Sequence, residues 1–482
     1  MKPKEKNRLF CYILFPAAGA LFLLWYIYAA GADVVYSDYI RIINDYLPDV
    51  ENAGKFLVPD ILTRIPLAYV QRLANVRGFA YSVIFDRLFT CLGIILMALA
   101  LLRFAYRQNL KMWAYGAVMI ILFSLSKWEV LMNGTCWAHM VSIGLFFINY
   151  IVFDDIWHGE STGLSELLAL LMPLLWLLIA GEYIASYAVT MILTAAFGAL
   201  TGGAVNHGGK RVQKVFVRII IATVLSLSLY LLSRRSAVWE HSGATDMTLR
   251  ELIVFAPSFL PKLLLKGFAG DVIGQETLFR LNVPDAAVYA LGALVIAAYV
   301  TAFCVYIKNG MSERTVFPLL LLMSGFINHC LVAYARWIFL NENYLLSSRY
   351  AGQFMVGTIG MILIFAMYKK PKAAYRKREN ESLRALVRVF AAFTAVLLIA
   401  GNVYTSYDEM KKAPYRKANY EEMARVIRNH GDHTDGELCS LLEWHKDPEV
   451  LRNAIEILEE NRLNVFSPLN TAGTDDKRED AA

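Results

Sequence analysis

The chain has 482 residues, of which 57% are hydrophobic and 18% are charged. Soluble chains average roughly 45–50% apolar and about 25% charged residues, so a water-soluble globular enzyme is excluded. The six cysteines show no CxxC or Cys–His spacing, which indicates neither a disulfide framework nor a zinc site. The formal net charge of +6 is modest, and its distribution along the chain is more informative than its sum.

Apolar runs recur along most of the chain, and a membrane-spanning helix needs about 20 such residues. The stretch 166–201 would reach about 50 Å as one helix, well beyond a hydrocarbon core of about 30 Å. Gly181 and Glu182 interrupt it, so two short spans are expected there. The sequence predicts an all-α, polytopic membrane protein with about eleven spans: 9–31, 81–102, 112–126, 136–153, 166–180, 183–201, 215–233, 286–307, 315–338, 350–368 and 385–402.

Lysine and arginine are concentrated in alternate loops, as short cytoplasmic loops require. This pattern predicts a multi-pass protein of the cell membrane with a cytoplasmic amino terminus and an extracytoplasmic carboxyl terminus. The inner loop 154–165 departs from the pattern because it contains no lysine or arginine. The inner basic segments lie at 2–8, 103–111, 210–218, 308–314 and 369–388.

Two regions follow from this topology. Residues 1–402 form a multi-span domain with long outer loops at 32–80 and 234–285, and residues 403–482 form a small outer helical tail. The tail's end, from Thr471, is small and charged, so disorder is expected. A signal peptide is the alternative for the first run, but its apolar length of about 20 exceeds the 7–15 residues of a cleavable segment.

The first outer loop places Asp33 and Asp38 directly after the first span. A carboxylate at that depth can reach the head group of a membrane-embedded substrate, which a general base acting on a lipid-linked reactant must do. The alternative is a solvated loop aspartate, or an N-cap for a helix that begins near Tyr39.

The second outer loop contains an amphipathic stretch, Glu251 to Phe268, that Pro257 and Pro261 should kink. Lys262 and Lys266 are four residues apart and share a helix face, where they can meet lipid phosphate. The alternative is that both lysines only extend to the interface from an interfacial helix.

Near the outer end of the tenth span, Arg349 precedes Tyr350, and Arg336 lies upstream. The fork of donors on an arginine suits a pair of phosphate oxygens. The alternative is an ion pair between Arg349 and a loop carboxylate such as Glu342. For Glu129, an internal pair with Lys127 or an aromatic-belt anchor is the simpler account.

With its acidic first outer loop, amphipathic second loop and late Arg-Tyr pair, the chain resembles the GT-C superfamily of polyprenyl-phosphate-dependent glycosyltransferases, as found in bacterial cell-envelope synthesis. The resemblance is architectural and covers most of residues 1–402. It implies a lipid-linked sugar donor, Asp38 or Asp33 as catalytic base, and Arg349 with Tyr350 near the donor phosphate. The acceptor would be a glycan, lipid or protein of the envelope.

The sequence identifies no cofactor and no metal ligands, and a divalent metal is left open. GxGxxG, Walker and HExxH motifs are absent from the sequence, which argues against a nucleotide-driven engine. The expected partners are membrane lipids, the lipid-linked donor and its acceptor, and no nucleic acid. A polysaccharide polymerase or ligase, or a transporter or lipid flippase, is the alternative; transporters carry broken helices and ionisable residues near the midplane.

Overall fold

The computed structural model describes residues 3–57, 59–60, 63–64, 66–160, 162–179, 184–201, 209–234, 243–368 and 381–468. These residues are almost entirely helical, which confirms the all-helical class. A short antiparallel pair, β1 (Pro59–Asp60) and β2 (Thr63–Arg64), lies in the first long loop. The helices are α1 (Pro3–Ala30), α2 (Asp38–Tyr46), α3 (Pro66–Phe79), α4 (Val83–Arg107), α5 (Met112–Leu122), α6 (Trp128–Met132), α7 (Trp137–Trp157), α8 (Gly163–Ile179), α9 (Ile184–Thr201), α10 (Gly209–Arg234), α11 (Leu249–Phe255), α12 (Phe259–Gly270), α13 (Gln275–Arg280), α14 (Asp285–Lys308), α15 (Phe317–Arg336), α16 (Ser348–Met367), α17 (Glu381–Arg428), α18 (Asp435–Leu441) and α19 (Pro448–Glu460).

Within the described ranges, nine helices are long and apolar enough to cross a membrane, and the bent pair α11–α12 would make ten. The multi-pass class is therefore confirmed, whereas eleven is not the number that length and composition give. The difference lies in the predicted spans 166–180 and 183–201. Both are helical, but their apolar stretches, Gly163–Pro173 and Ala185–Leu200, are shorter than the other spans.

An ion pair supports the division of 166–201 into two passes. Nη2 of Arg211 lies 2.9 Å from Oε1 of Glu166. Glu166 is in the first turn of α8 and Arg211 is in the first turn of α10, so both helices begin at the same end of the bundle. The chain between them must therefore cross and return. Gly181 and Glu182, where the break was predicted, lie outside the described residues.

The segment 154–165, which contains no lysine or arginine of its own, is contacted by arginines of α4. Arg103 Nη2 lies 2.7 Å from Asp155 Oδ2, and Arg107 contacts both Asp155 and Glu160. The basic end of α4 thus neutralises the acidic end of α7, which accounts for the departure from the charge pattern. We call this end of the bundle, which also carries Arg8 and Arg314, the basic end.

Close approach of two helices fixes the centre of the bundle. A Cβ atom on Gly325 of α15 would lie 2.3 Å from the backbone of Gly357 in α16, so only glycine fits there. Small residues permit such contacts between membrane helices, where packing rather than the hydrophobic effect drives association. α16 in turn carries Arg349 at its first turn.

The last membrane-spanning helix, α17, runs without interruption through the boundary that the sequence places at 402. α17 has 48 residues, contains Pro414, and extends from the predicted last span into the tail. α18 and α19 follow, and α19 packs against α2. We call the end of the bundle that carries α2, α13, the start of α16 and these tail helices the tail end. The terminal stretch predicted to be disordered lies outside the described residues.

Candidate functional site

Asp38 begins α2 at the tail end. The helix starts one residue earlier than the sequence suggests, and Ser37 occupies the N-cap position, so Asp38 is not the cap. Tyr39 and Ile43 on the opposite side of α2 are buried, and the Tyr39 hydroxyl donates to Asp86 Oδ2 at 2.7 Å. Burial and the Asp86 carboxylate raise the pKa of Tyr39. These contacts fix α2 and leave the Asp38 side chain partly exposed.

Arg349 joins two carboxylates that are distant in the chain. Its Nε and Nη2 atoms donate to Glu129 Oε1 at 2.8 and 2.7 Å, and its Nη1 lies 3.9 Å from Asp38 Oδ2. The hydroxyls of Ser347 and Ser348 donate to Glu129 Oε2 at 3.2 and 3.1 Å. We call these five residues the Arg349 centre.

The alternative of an ion pair between Arg349 and a loop carboxylate is confirmed, but the partners that the sequence suggested for Arg349 and for Glu129 are wrong. Arg349 pairs with Glu129 and Asp38, whereas Glu342 contacts lysines of α12. Lys127 does not pair with Glu129; its Nζ donates to the Ser124 carbonyl oxygen at 2.7 Å. Neighbours in the sequence are therefore not the partners in space.

The Arg349 centre is open enough to meet a ligand. The side chains of Arg349 and Asp38 are 40% and 38% exposed, and that of Glu129 is 23% exposed. Because Glu129 holds Nε and Nη2, Nη1 is the part of the guanidinium directed toward Asp38. A phosphate that approaches Nη1 would compete with Asp38 for the same donor.

The tail adds a third carboxylate to this region. The backbone nitrogen of Ser37 donates to the Leu442 carbonyl oxygen at 2.8 Å, which brings Glu443 beside the start of α2. Burial and the neighbouring Glu129 raise the pKa of Glu443, although Arg349 acts in the opposite direction.

Ser37 and Glu443 both have positive φ angles, of 52° and 55°. Strained backbone of this kind tends to occur at functional sites.

A cavity of about 80 Å³ adjoins the centre and shares Glu129, Ser347 and Ser348 with it. Arg416 of α17 organises its wall: the guanidinium lies 3.2 Å from the centroid of the Trp128 ring and donates to Glu276 at 2.9 Å and to Glu409. Burial alone would raise the pKa of Glu276, but Arg416 and Lys412 outweigh it, so that the pKa is lowered. The residues that line the cavity are Ser126, Trp128, Glu129, Gly274, Gln275, Glu276, Thr277, Ser347, Ser348, Thr405, Glu409 and Lys412.

The other aspartate candidate, Asp33, has different contacts. Its Oδ1 accepts hydrogen bonds from the Val83 backbone nitrogen at 2.7 Å and from Asn464 Nδ2 at 3.2 Å. It therefore ties the end of the first span to the start of α4 and to the tail.

Lys262 and Lys266 share a carboxylate, as their spacing on one helix face allows. Their Nζ atoms lie 3.3 and 3.9 Å from the two oxygens of Glu342. Lys266 is buried, with Nζ also 2.7 Å from Asn343 Oδ1 and 3.0 Å from Asp285 Oδ1. We call this group the lysine cluster.

Tyr350 packs against α12, and Arg336 lies near the Tyr350 ring. Tyr350 is buried with Phe259 and Leu263 of α12, in an apolar layer that joins α12 to α16. The Arg336 guanidinium is 5.9 Å from the centroid of the Tyr350 ring. Tyr350 thus packs behind the Arg349 centre, on the side of the lysine cluster.

Sequence reasoning missed the cavity. Glu409 and Arg416 are seven residues apart on α17 and so share a helix face, but this face is visible only once the helix is known to continue past 402. Glu276 lies in the short helix α13, which gave no periodic signal. A longer helical window over 403–428 would have revealed the Glu409–Arg416 face.

Comparisons with protein-family models, curated proteins and solved structures find no match to this chain. Among the residues that the structure describes, no group of three or more His, Cys, Asp or Glu side chains is arranged to hold a metal ion. The fold defines a multi-pass helical membrane protein.

Proposed function

We propose that this protein is a GT-C-type membrane glycosyltransferase that moves a sugar from a polyprenyl-phosphate donor to a glycan, lipid or protein acceptor of the cell envelope. One observation carries the proposal: the Asp38 carboxylate and the Arg349 guanidinium are 3.9 Å apart and partly exposed. A base beside a phosphate-binding cation is the pair that this transfer needs.

In the proposed reaction, the acceptor hydroxyl attacks the anomeric carbon of the donor sugar. Its proton passes to Asp38 as the new carbon–oxygen bond forms. The bond between the anomeric carbon and the phosphate oxygen breaks, and the polyprenyl phosphate leaves with the bonding electrons. Nη1 of Arg349 stabilises the charge that develops on that phosphate. Glu129 holds the rest of the guanidinium in place.

Several contacts support Asp38 rather than Asp33 as the base. Asp33 already accepts hydrogen bonds from the start of α4 and from Asn464. Asp38 faces Arg349 from the first turn of α2, where the helix dipole favours a negative charge. The proposal therefore assigns Asp33 to holding the loop and Asp38 to the chemistry.

The proposal divides the basic residues in the same way. The Lys266 ammonium has three N–H donors and three protein partners, so we assign it to holding α12 against the loop before α16. Lys262, with a side chain 41% exposed, is the lysine placed to meet a lipid phosphate. Arg349 is assigned to the donor phosphate.

The proposal places the tail end outside the cell. The basic end carries Arg8, Arg103 and Arg107, as the cytoplasmic side of a membrane protein does. The Arg349 centre then faces the extracytoplasmic side, where lipid-linked donors of envelope synthesis are consumed.

A transporter is the second candidate, because two observations favour it. α11 and α12 meet at a bend of 96°, as in a broken or re-entrant helix. His329 Nε2 lies 3.6 Å from Asp271 Oδ1, and both side chains are fully inaccessible inside the bundle. Ionisable residues in such positions commonly mark transport pathways.

The test replaces Asp38 by Asn, which removes the base and nearly preserves its size. Incorporation of sugar from the lipid-linked pool into the cell-surface product should fall by about 10²–10⁴-fold in a strain lacking the native gene. Asp45→Asn and Asp49→Asn are matched controls, since these carboxylates pair with Arg41 and Lys55. Normal incorporation with Asp38→Asn would reject the glycosyltransferase. If His329→Gln also abolished incorporation, that result would favour the transporter.

A further inference from the structure

The cavity beside the Arg349 centre has a mostly polar lining, in which the ammonium of Lys412 accompanies three carboxylates. Glu129, Glu276 and Glu409 supply three carboxylates, and five serine and threonine hydroxyls, one glutamine amide and the Trp128 ring complete most of the wall. Carboxylates and hydroxyls accept hydrogen bonds from alcohols, and aromatic rings pack against the carbon faces of sugars. The wall is therefore suited to a polyhydroxylated group.

The cations near the cavity are already engaged by its carboxylates. Arg416 donates to Glu276 and Glu409, and Lys412 Nζ lies 2.7 Å from Glu276 Oε2. On the other side, Arg349 donates to Glu129. The lowered pKa of Glu276 keeps that carboxylate ionised at neutral pH, when it can only accept hydrogen bonds.

This balance discriminates between ligands by charge. A hydroxyl can donate to the remaining lone pairs of Glu276 and Glu409 without disturbing their ion pairs. A carboxylate or phosphate entering the cavity would face three like charges and would have to displace a protein carboxylate from Arg416 or Arg349. Like charges at this range in a partly buried site repel strongly.

We propose that the cavity binds the hydroxyl-bearing edge of an uncharged sugar and excludes a sugar that carries a carboxylate or phosphate there. The inference rests on the proposed function, since it names the chemical class of the sugar that the Arg349 centre acts on. A cavity of about 80 Å³ is smaller than an ordinary ligand pocket, so it receives one edge of a monosaccharide.

The experiment measures binding rather than transfer. Full-length protein in detergent is titrated with methyl glucoside and methyl glucuronide, and with the matching galactose pair, by saturation-transfer NMR. Within a pair, the ring is the same and a carboxylate replaces the hydroxymethyl group at C5. At least one neutral glycoside should bind, and its uronide should bind at least ten-fold more weakly. Equal binding within every pair, or no binding by either neutral glycoside, would overturn the proposal.

Substitution of Glu276 by Gln should change the preference. It removes one negative charge and leaves Arg416 and Lys412 with fewer partners, so the uronide should gain relative to the neutral glycoside by several fold. Glu456→Gln, an exposed carboxylate on α19, is the control and should not alter the ratio. If Glu276→Gln fails to fold, Gln275→Lys adds a cation to the same wall and should shift the ratio in the same direction. An unchanged ratio in a folded variant would contradict the charge argument.

The outcome is separable from that of the proposed function. Loss of transfer in Asp38→Asn without any sugar binding would retain the glycosyltransferase and reject the cavity as its sugar site. Selective sugar binding with normal transfer in Asp38→Asn would retain the cavity as a sugar site and reject Asp38 as the base of a glycosyltransferase.

Discussion

The backbone nitrogen of Ser37 donates to the carbonyl oxygen of Leu442 at 2.8 Å, and this bond ties the start of α2 to the tail. Ser37 adopts φ 52° and ψ −120°, a conformation that costs a residue other than glycine about 1–3 kcal/mol. The residue after it is Asp38. The tail therefore helps to hold a strained turn in the conformation that directs Asp38 toward Arg349.

Two substitutions at Ser37 should separate the bond from the strain. Ser37→Pro removes the N–H donor and fixes φ near −65°, so sugar transfer should fall as Asp38 moves away from Arg349. Ser37→Gly keeps the donor and relieves the strain, so transfer should be retained and the thermal unfolding temperature should be equal or higher. Equal transfer by both variants would show that the turn does not position Asp38.

Arg349→Lys keeps the charge but loses the fork of donors. A lysine ammonium cannot hold Glu129 and a phosphate with the geometry of the guanidinium, so donor use should weaken by about 1–3 kcal/mol. The measurement is the donor dependence of sugar transfer, with protein abundance in the membrane as the control. Unchanged turnover would mean that Arg349 serves only as an ion pair between Asp38 and Glu129.

Local features of the sequence predicted most of the spans and both residues of the pair formed by Asp38 and Arg349. Asp38 and Arg349 were found because each adjoins the end of an apolar run. The sequence favoured an ion pair between Glu129 and its near neighbour Lys127. It shows which residues are adjacent in the chain, but not that α2, α6 and α16 meet in space. The last predicted span ends at 402 because the apolar run ends there, although α17 continues to Arg428. The cavity depends on that continuation.

The lowered pKa of Glu276 predicts a pH dependence of stability. Because its folded pKa lies below the ordinary value of 4.5, the ionised carboxylate stabilises the fold at pH values above 4.5, and the contribution is lost as pH falls through the folded pKa. Thermal unfolding of purified wild type and Glu276→Gln in detergent should differ at neutral pH and converge in acid. Glu456→Gln should show no such convergence. A gap between wild type and Glu276→Gln that stays constant with pH would exclude an ion-paired Glu276.

The orientation of the bundle can be tested with reporters at its two ends. Tyr407 lies on α17 near Thr405, whose Oγ1 accepts from the Gly274 backbone nitrogen at the tail end. Gln108 lies at the basic end, where its carbonyl oxygen accepts from Arg314 at 2.8 Å. A reporter active only outside the cytoplasm should be active when fused after Tyr407 and inactive after Gln108, because loops rich in lysine and arginine stay inside. A cytoplasmic reporter at the same two points should give the opposite pattern. Activity of the outer reporter at Gln108 but not at Tyr407 would place Asp38 and Arg349 inside the cell and would rule out transfer on the extracytoplasmic side.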